Sequence, residues 1–215
     1  MQLTTLYLLF KGTLVTLELW VSCSIISIIF GTITGIFRCE RLRIPLISPA
    51  LDVITIVLRG IPLYTQLMIF YFVIPELLGI NMSSFVAGSA ALGLCSGAYT
   101  SEIVRGSINT LPQTQWDASW VLGYTIINQL WHIILPQAIK NGLPALIGEY
   151  SMVLKSTSII ASIGVLELTK IGTNIIARSL DPIPVCLGVG IIYLIINFVL
   201  SFLGRALERK YSAAN

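Results

Sequence analysis

The chain has 215 residues, of which 55% are hydrophobic and only 11% charged. A soluble domain carries roughly a quarter of its residues as ions, so the charge deficit excludes an ordinary water-soluble surface. A formal net charge of +3, scattered along the chain, provides no basic patch for nucleic acid. Cys23, Cys39, Cys95 and Cys186 form no CxxC pair and do not cluster with His132, so no metal or redox site is expected.

A membrane-spanning helix needs about 20 mainly apolar residues, because the hydrocarbon core is roughly 30 Å thick. Five stretches meet that requirement, and they predict an all-α, polytopic membrane protein in one domain, residues 1–215. The first, Gly12–Phe37, is too long for a signal-peptide core and ends without a small-residue cleavage site, so it reads as a retained span. The second, Leu51–Ile74, carries Arg59-Gly60-Ile61-Pro62 in its interior, which predicts an interrupted backbone. Broken helices beside a midplane cavity are common in transporters, although a plain proline kink is the commoner cause.

The third stretch, Phe85–Val104, contains Ser96 among small residues. Intramembrane serine proteolysis would need a base within hydrogen-bond reach, and the one histidine, His132, falls in the following connection. That connection, about residues 106–142, holds Leu111-Pro112 and Leu135-Pro136. Between them Trp116, Trp120 and Leu122, then Ile126, Ile127, Leu130, Ile133 and Ile134, recur at helical spacing around Gly123. Two short amphipathic helices with a break at the glycine are expected. They would either lie in the lipid interface or dock a soluble partner. The last two spans are Leu143–Val165 and Val185–Leu207.

Loop charges set the expected orientation. Arg38, Arg41 and Arg43 follow the first span, Arg105 and Lys140 bracket the long connection, and Arg205, Arg209 and Lys210 follow the last span. The opposite side carries Lys11, Lys170 and Arg178 alone, and Pro75–Ser84 has no Lys or Arg. Basic loops face the cytoplasm, which places the N-terminus outside and the C-terminus inside.

Several ionisable residues fall at membrane depth: Arg59 and Lys155 inside spans, with Glu18, Glu102 and Glu149 nearer their ends. A charge there is costly and usually paired or functional. One reading is a structural ion pair, such as Lys155 with Glu102; the other is a polar cavity for a charged solute. No Gly-x-x-x-x-Gly-Lys-Ser/Thr loop occurs, and Lys155-Ser156 lacks the preceding glycines, so the chain is not expected to bind ATP itself.

The ordered motifs resemble the polar-amino-acid permeases of binding-protein-dependent ABC importers. The long connection carries Gln115-Trp116-Asp117-Ala118-Ser119-Trp120-Val121-Leu122-Gly123 and Ile134-Leu135-Pro136-Gln137-Ala138. This is similar to that family's loop signature of Glu-Ala-Ala, three residues to a glycine, and a downstream Leu-Pro. Subfamily motifs are Gly12-Thr13-Leu14, Arg59-Gly60-Ile61-Pro62-Leu63 with Gln66, and Ala98-Tyr99 with Glu102 and Arg105-Gly106. The last is Leu154-Lys155-Ser156-Thr157-Ser158-Ile159, followed by Gly164-Val165 and Glu167-Leu168. Asp117 replaces the usual glutamate, Ser119 the second alanine and Thr114 a common glycine, and Gly148 stands where asparagine often precedes Glu149.

The resemblance implies a type I ABC importer permease in a prokaryotic plasma (inner) membrane. It is expected to work with a second permease subunit, a cytoplasmic ATPase dimer that binds ATP and magnesium, and an extracytoplasmic amino-acid-binding protein. Gln115, Trp116, Asp117, Ala118 and Gly123 would form the coupling element. Arg59, Gln66, Glu102, Glu149, Lys155, Thr157 and Ser158 are the candidates for the substrate pathway. A channel or an ion-coupled secondary transporter for a small polar solute is the alternative; it would need no ATPase-docking loop, and no inverted repeat shows in the hydropathy.

Overall fold

The computed structural model describes residues 3–212, and these form a bundle of α-helices with no strand among them. The first helix, α1 (Leu3–Arg38), is 36 residues long, about 54 Å at 1.5 Å per residue. Its buried positions include Leu9, Gly12, Thr16, Leu19, Cys23, Ser27, Gly31, Thr34 and Arg38, spaced three or four residues apart, with Gly35 beside Thr34, and are mostly small or polar. Its exposed face carries Tyr7, Phe10, Leu14, Val21, Ile25, Ile29 and Ile33. Small residues inside and large apolar residues outside are the arrangement lipid favours. Helices there associate by close packing and interhelical hydrogen bonds, because lipid is as apolar as leucine.

The partner of that stripe is α5 (Ser84–Asn109), which touches α1, α2 (Ile47–Gly60), α3 (Leu63–Met68) and α8 (Leu135–Ile160) and is the axis of the bundle. Ser83 caps its start by accepting from the Val86 amide at 3.3 Å. Its buried face is Ala87, Gly88, Ala91, Gly93, Ser96, Gly97, Ala98 and Thr100. At the contact with α1 a Cβ added to Gly31 would fall 2.6 Å from the Thr100 side chain, so the two backbones approach as only glycine permits. Ser27 in α1 bonds Ser96 at 3.1 Å and Thr100 at 2.9 Å across the same seam.

Two helices, Thr4–Arg38 and Pro182–Lys210, are long and apolar enough to cross a bilayer alone, and two bent helix pairs raise the number to four if each crosses as one broken span. α5 has the length of a crossing but spends its composition on small core residues. The expected single span Leu51–Ile74 requires correction. α2 ends at Gly60, and the chain restarts as Leu63–Leu78 at 104° to it. Pro62 supplies the fixed φ of −55° before α3 and has no amide to donate. A π turn at Ile69–Val73 then leads into α4 (Ile74–Leu78).

The connection placed at 106–142 is also shorter than expected. α5 runs to Asn109, α6 (Gln113–Val121) follows, and helix resumes at Ile126. From there α7 (Ile126–Gln129), a π turn at Leu130–Ile134 and α8 continue as one helical stretch to Ile163. The second amphipathic pattern is therefore the opening of a spanning helix. Pro136 is accommodated in the first turn of α8, and Pro144 lies inside that helix. The chain then turns at Gly164 (φ +89°), forms α9 (Leu168–Ser179) at about 50° to what precedes it, and ends in α10 (Pro182–Ser212).

Candidate functional site

The short helix α6 stands at the end of the bundle where α1 and α5 terminate. Pro112 starts it, and it ends at Leu122 with Gly123 in the left-handed region at φ +80°. A residue with a Cβ pays for that conformation, which explains the glycine. Thr125 then accepts from the Asn128 amide at 3.4 Å and starts the next helix. The predicted break at Gly123 is present.

The aromatic residues of α6 divide their work. Trp116 is buried, packed in one cluster with Cys39, Ile108, Ile134, Leu135 and Ala138, and the Arg41 guanidinium lies 5.4 Å from its ring centroid. It anchors α6 to its own chain and is neither an interface anchor nor a free docking group. Trp120, Val121 and Leu122 are 70%, 84% and 74% exposed, an apolar tip next to exposed Gln115, Asp117 and Ala118. Asp117 accepts from Gln113 Nε2 at 3.0 Å. Since α6 begins at Gln113, Asp117 sits in its second turn.

Toward the end of the bundle where α1 and α5 terminate, charged residues gather around Glu102 of α5. Glu102 accepts from Arg38 Nη2 at 2.8 Å, Arg59 Nη2 at 2.9 Å and Arg105 Nη2 at 2.6 Å. Arg38 also donates to Asp52 at 2.7 Å, and Asp52 pairs with Arg43. Four guanidinium groups thus share two carboxylates, and positive charge is in excess. Arg59 is the least saturated member: it has one ionic partner, its Nε is buried without a hydrogen bond, and its guanidinium lies 6.0 Å from the Tyr99 ring centroid. Tyr99 itself is 43% exposed.

Glu149 in α8 accepts from Ser96 Oγ at 2.7 Å, on the other flank of the same α5 face. The ion pair of Lys155 with Glu102, the example given for the structural reading, does not form. Lys155 is exposed and makes no ion pair among the described residues, because the arginines of α1, α2 and α5 already surround Glu102. Gln66 is buried and holds the helix break: its Nε2 donates to Leu58 O at 2.6 Å and Ile61 O at 2.7 Å, two carbonyls at the α2 terminus. Thr157 is buried and bonds Leu154 O at 2.7 Å, while Ser158 bonds Lys155 O at 2.8 Å. Both hydroxyls are committed to their own helix.

A crevice of about 440 Å³ between α5, α8 and α10 is lined by Ile103, Leu135, Leu146, Ile147, Leu203 and Leu207 among others. Its walls suit hydrocarbon, not a charged solute. One polar cluster escaped the sequence reading. Glu167 is fully buried, accepts from the Lys170 amide at 2.6 Å and from Tyr193 Oη at 2.9 Å, and lies 3.5 Å from Thr16 Oγ1. It caps α9 and ties it to α1 and α10. The signal was available as an acidic residue one position before an amphipathic run.

Comparison with known proteins agrees with this architecture. Residues 27–213 match the model of the "binding-protein-dependent transport system inner membrane component" family. The arginine transport system permease protein ArtQ of Bacillus subtilis is 36% identical over 200 residues, covering 93% of this chain and 90% of the relative. A putative glutamine transport system permease protein of Rickettsia bellii is 34% identical over 202 residues, covering 93% and 91%. A solved amino acid ABC transporter with histidines superimposes with a TM-score of 0.84 at 30% identity, covering 94% of each chain. The chain belongs to the family of inner membrane components of binding-protein-dependent transport systems.

Proposed function

We propose that the chain is the permease subunit of an ABC importer for polar amino acids. The observation that carries this reading is near full-length similarity to a permease named for arginine transport, at 36% identity, together with the superposition on an amino acid ABC transporter. On this reading the permease performs no chemistry. ATP and magnesium are bound by a cytoplasmic ATPase dimer, an extracytoplasmic binding protein delivers the amino acid, and a second permease subunit, the same chain or a sibling, completes the pathway. The N-terminus faces outward and the C-terminus inward, in line with the basic residues that follow α1 and α10.

The exposed tip Trp120-Val121-Leu122, with Gln115, Asp117 and Ala118 beside it, is the surface offered to the ATPase. Gly123 sets its angle, and Trp116 fastens it to α1, α5 and α8. Closure of the ATPases would push on α6, and Trp116 would transmit that displacement to the spans. The mobile outcome is a rigid-body change of packing between two access states.

The test is co-expression of the chain with its ATPase and binding protein, purification as one complex, and reconstitution. Uptake of labelled L-arginine, L-glutamine or L-histidine that requires ATP and the loaded binding protein is expected. A chain that binds no ATPase, or that moves none of the three amino acids, would overturn the reading.

A further inference from the structure

We propose that the apolar crevice between α5, α8 and α10 holds one acyl chain of an anionic phospholipid, whose phosphate is bound by Lys140 and Lys210. The crevice has a volume of about 440 Å³, far beyond the voids that interior packing leaves. Ile139, Leu203 and Leu207 on its rim are 56%, 53% and 50% exposed, so it opens sideways toward the surrounding hydrocarbon. Its inner end is closed by Trp20, whose Nε1 donates to the Tyr150 carbonyl at 2.8 Å.

Depth selects the occupant. On α5 the lining runs from Thr100 to Ser107, near the end of that helix, and on α10 from Leu200 to Leu207, beyond its midpoint. The crevice therefore occupies one half of the bundle. Along α8, the ten residues from Tyr150 back to Lys140 rise about 15 Å, half of a hydrocarbon core roughly 30 Å thick. A spanning helix from another subunit would need the full thickness, whereas a lipid chain needs a single leaflet. That leaflet is the cytoplasmic one, and this label alone rests on the orientation proposed above.

Charge selects the headgroup. Contacts of α10 with the preceding helices run in opposite order, from Val189 with Gly172, through Tyr193 with Thr169, to Gly204 with Ile147, so α8 and α10 are antiparallel. From the Gly204–Ile147 contact, Lys140 lies seven residues back along α8 and Lys210 six residues on along α10. Those rises are about 10 and 9 Å, so the two lysines stand at one level. α5 ends there too, because Gly142 meets Ser107 two residues before Asn109. Lys210 continues the stripe of Leu203 and Leu207, and Lys140 the edge of Leu143 and Ile147, at helical spacing. Each can lay its stem along the apolar wall and keep its ammonium at the interface. Both are exposed and form no ion pair among the described residues. Arg205 and Arg209 add charge on the far side of α10, and Glu208 is the one acid among residues 200–212. The excess is positive, and basic pockets between spans bind anionic headgroups.

The test uses the complete transporter in nanodiscs of equimolar phosphatidylglycerol and phosphatidylcholine. After transfer to mild detergent, native mass spectrometry counts the lipids retained. One phosphatidylglycerol per copy of this chain is expected, preferred roughly 10- to 30-fold, the scale of two lysine–headgroup contacts. Lys140→Gln/Lys210→Gln should remove the preference, while Arg205→Gln/Arg209→Gln should keep most of it. Equal loss in the two pairs would mean diffuse surface charge and overturn the site. Leu203→Trp fills the crevice from an exposed position and should abolish retention of either lipid; Leu143→Phe serves if that variant does not assemble. Unchanged retention in the filled variant would put the lipid elsewhere and refute the proposal. Glu208→Gln should hold or raise the preference, and a fall would show that the headgroup carries an ammonium instead. No retained lipid in the native complex would also overturn the proposal, and a cross-link from Ile139→Cys to another subunit would then identify protein in the crevice. Retention is read whether or not the complex takes up an amino acid, so this site and the transport reading fail separately.

Discussion

Arg38, the last residue of α1, meets Glu102 of α5 at 2.8 Å while keeping only 4% of its side chain exposed. Its second carboxylate partner is Asp52 of α2, so one guanidinium joins three helices. α2 has few other means of attachment: its buried residues are Ser48 and Thr55, and Val53, Ile54, Ile56 and Val57 are exposed. Ion pairs thus hold the first arm of the broken span where apolar packing does not.

Removal of Arg38 should therefore be far more damaging than removal of Arg43. Loss of Arg38 removes two charge-assisted hydrogen bonds made by a buried guanidinium, each worth about 1.5–3 kcal/mol, and with them the tie between three helices, although the other arginines still neutralise Glu102 and Asp52. Arg43 is 48% exposed, and an exposed pair is worth less than about 1 kcal/mol. The detergent-solubilised Arg38→Ala variant should lose its folded form several degrees below Arg43→Ala in a thermal-stability assay. Equal midpoints for the two variants would show that α2 is held by something other than this network.

The seam between α1 and α5 makes a second stability prediction. A methyl group at Gly31 meets Thr100 at 2.6 Å and the Gly97 carbonyl at 2.7 Å, so the helices must separate. Overpacking of this kind costs about 1–3 kcal/mol. Gly190 in α10 has nothing within 4 Å of an added Cβ. Gly31→Ala should lower the thermal midpoint, and Gly190→Ala should leave it in place. A neutral Gly31→Ala would mean that α1 can shift along α5 without loss.

Much of this arrangement is legible in the sequence, and the parts that are not have physical reasons. Hydropathy locates α1 and α10 because both turn large apolar residues outward. It also marks α5, but cannot reveal that its glycines and serines make it the centre of the bundle. Arg59-Gly60-Ile61-Pro62 announces a break, yet the angle of 104° depends on Gln66 bonding the freed carbonyls, a contact with no local pattern. The pairing of Lys155 with Glu102 fails because span-level reasoning matches depths and not faces. Trp116 and Trp120 look alike in the sequence, four residues apart, and only the fold of Cys39, Ile108 and Ile134 around one of them separates their roles.

The orientation can be read by thiol labelling, but not at Cys39. That residue is fully buried, and burial also pushes its thiol above the ordinary range, so it should react slowly from either side. Ala118 on α6 and Ser179 at the end of α9 are both exposed. In a background without native cysteines, Ala118→Cys should react with a membrane-impermeant reagent only in inside-out vesicles. Ser179→Cys should react only in right-side-out vesicles. The reverse pattern would invert the assignment and detach α6 from any cytoplasmic ATPase.

The two tryptophans of α6 give the sharpest division between docking and anchoring. Trp120 is 70% exposed with Val121 and Leu122 beside it, and nothing in its own chain needs it. Trp120→Ala should leave the isolated permease as stable as before, yet weaken ATPase binding by roughly tenfold or more, as expected for an aromatic hot spot. Trp116→Ala should do the opposite in the first instance. It removes a buried ring from the Cys39–Ile108–Ile134 cluster and the stack with Arg41, which costs about 3–5 kcal/mol for a large aromatic. Its loss should lower the thermal midpoint of the permease before any partner is added. Gly123→Val separates geometry from contact: φ of +80° is strained for a β-branched residue, so the exposed tip is kept while its angle is lost. Retained ATPase binding with hydrolysis that no longer responds to loaded binding protein is the expected result. If Trp120→Ala binds the ATPase normally while Trp116→Ala alone releases it without loss of permease stability, the buried and exposed roles assigned to these rings are wrong.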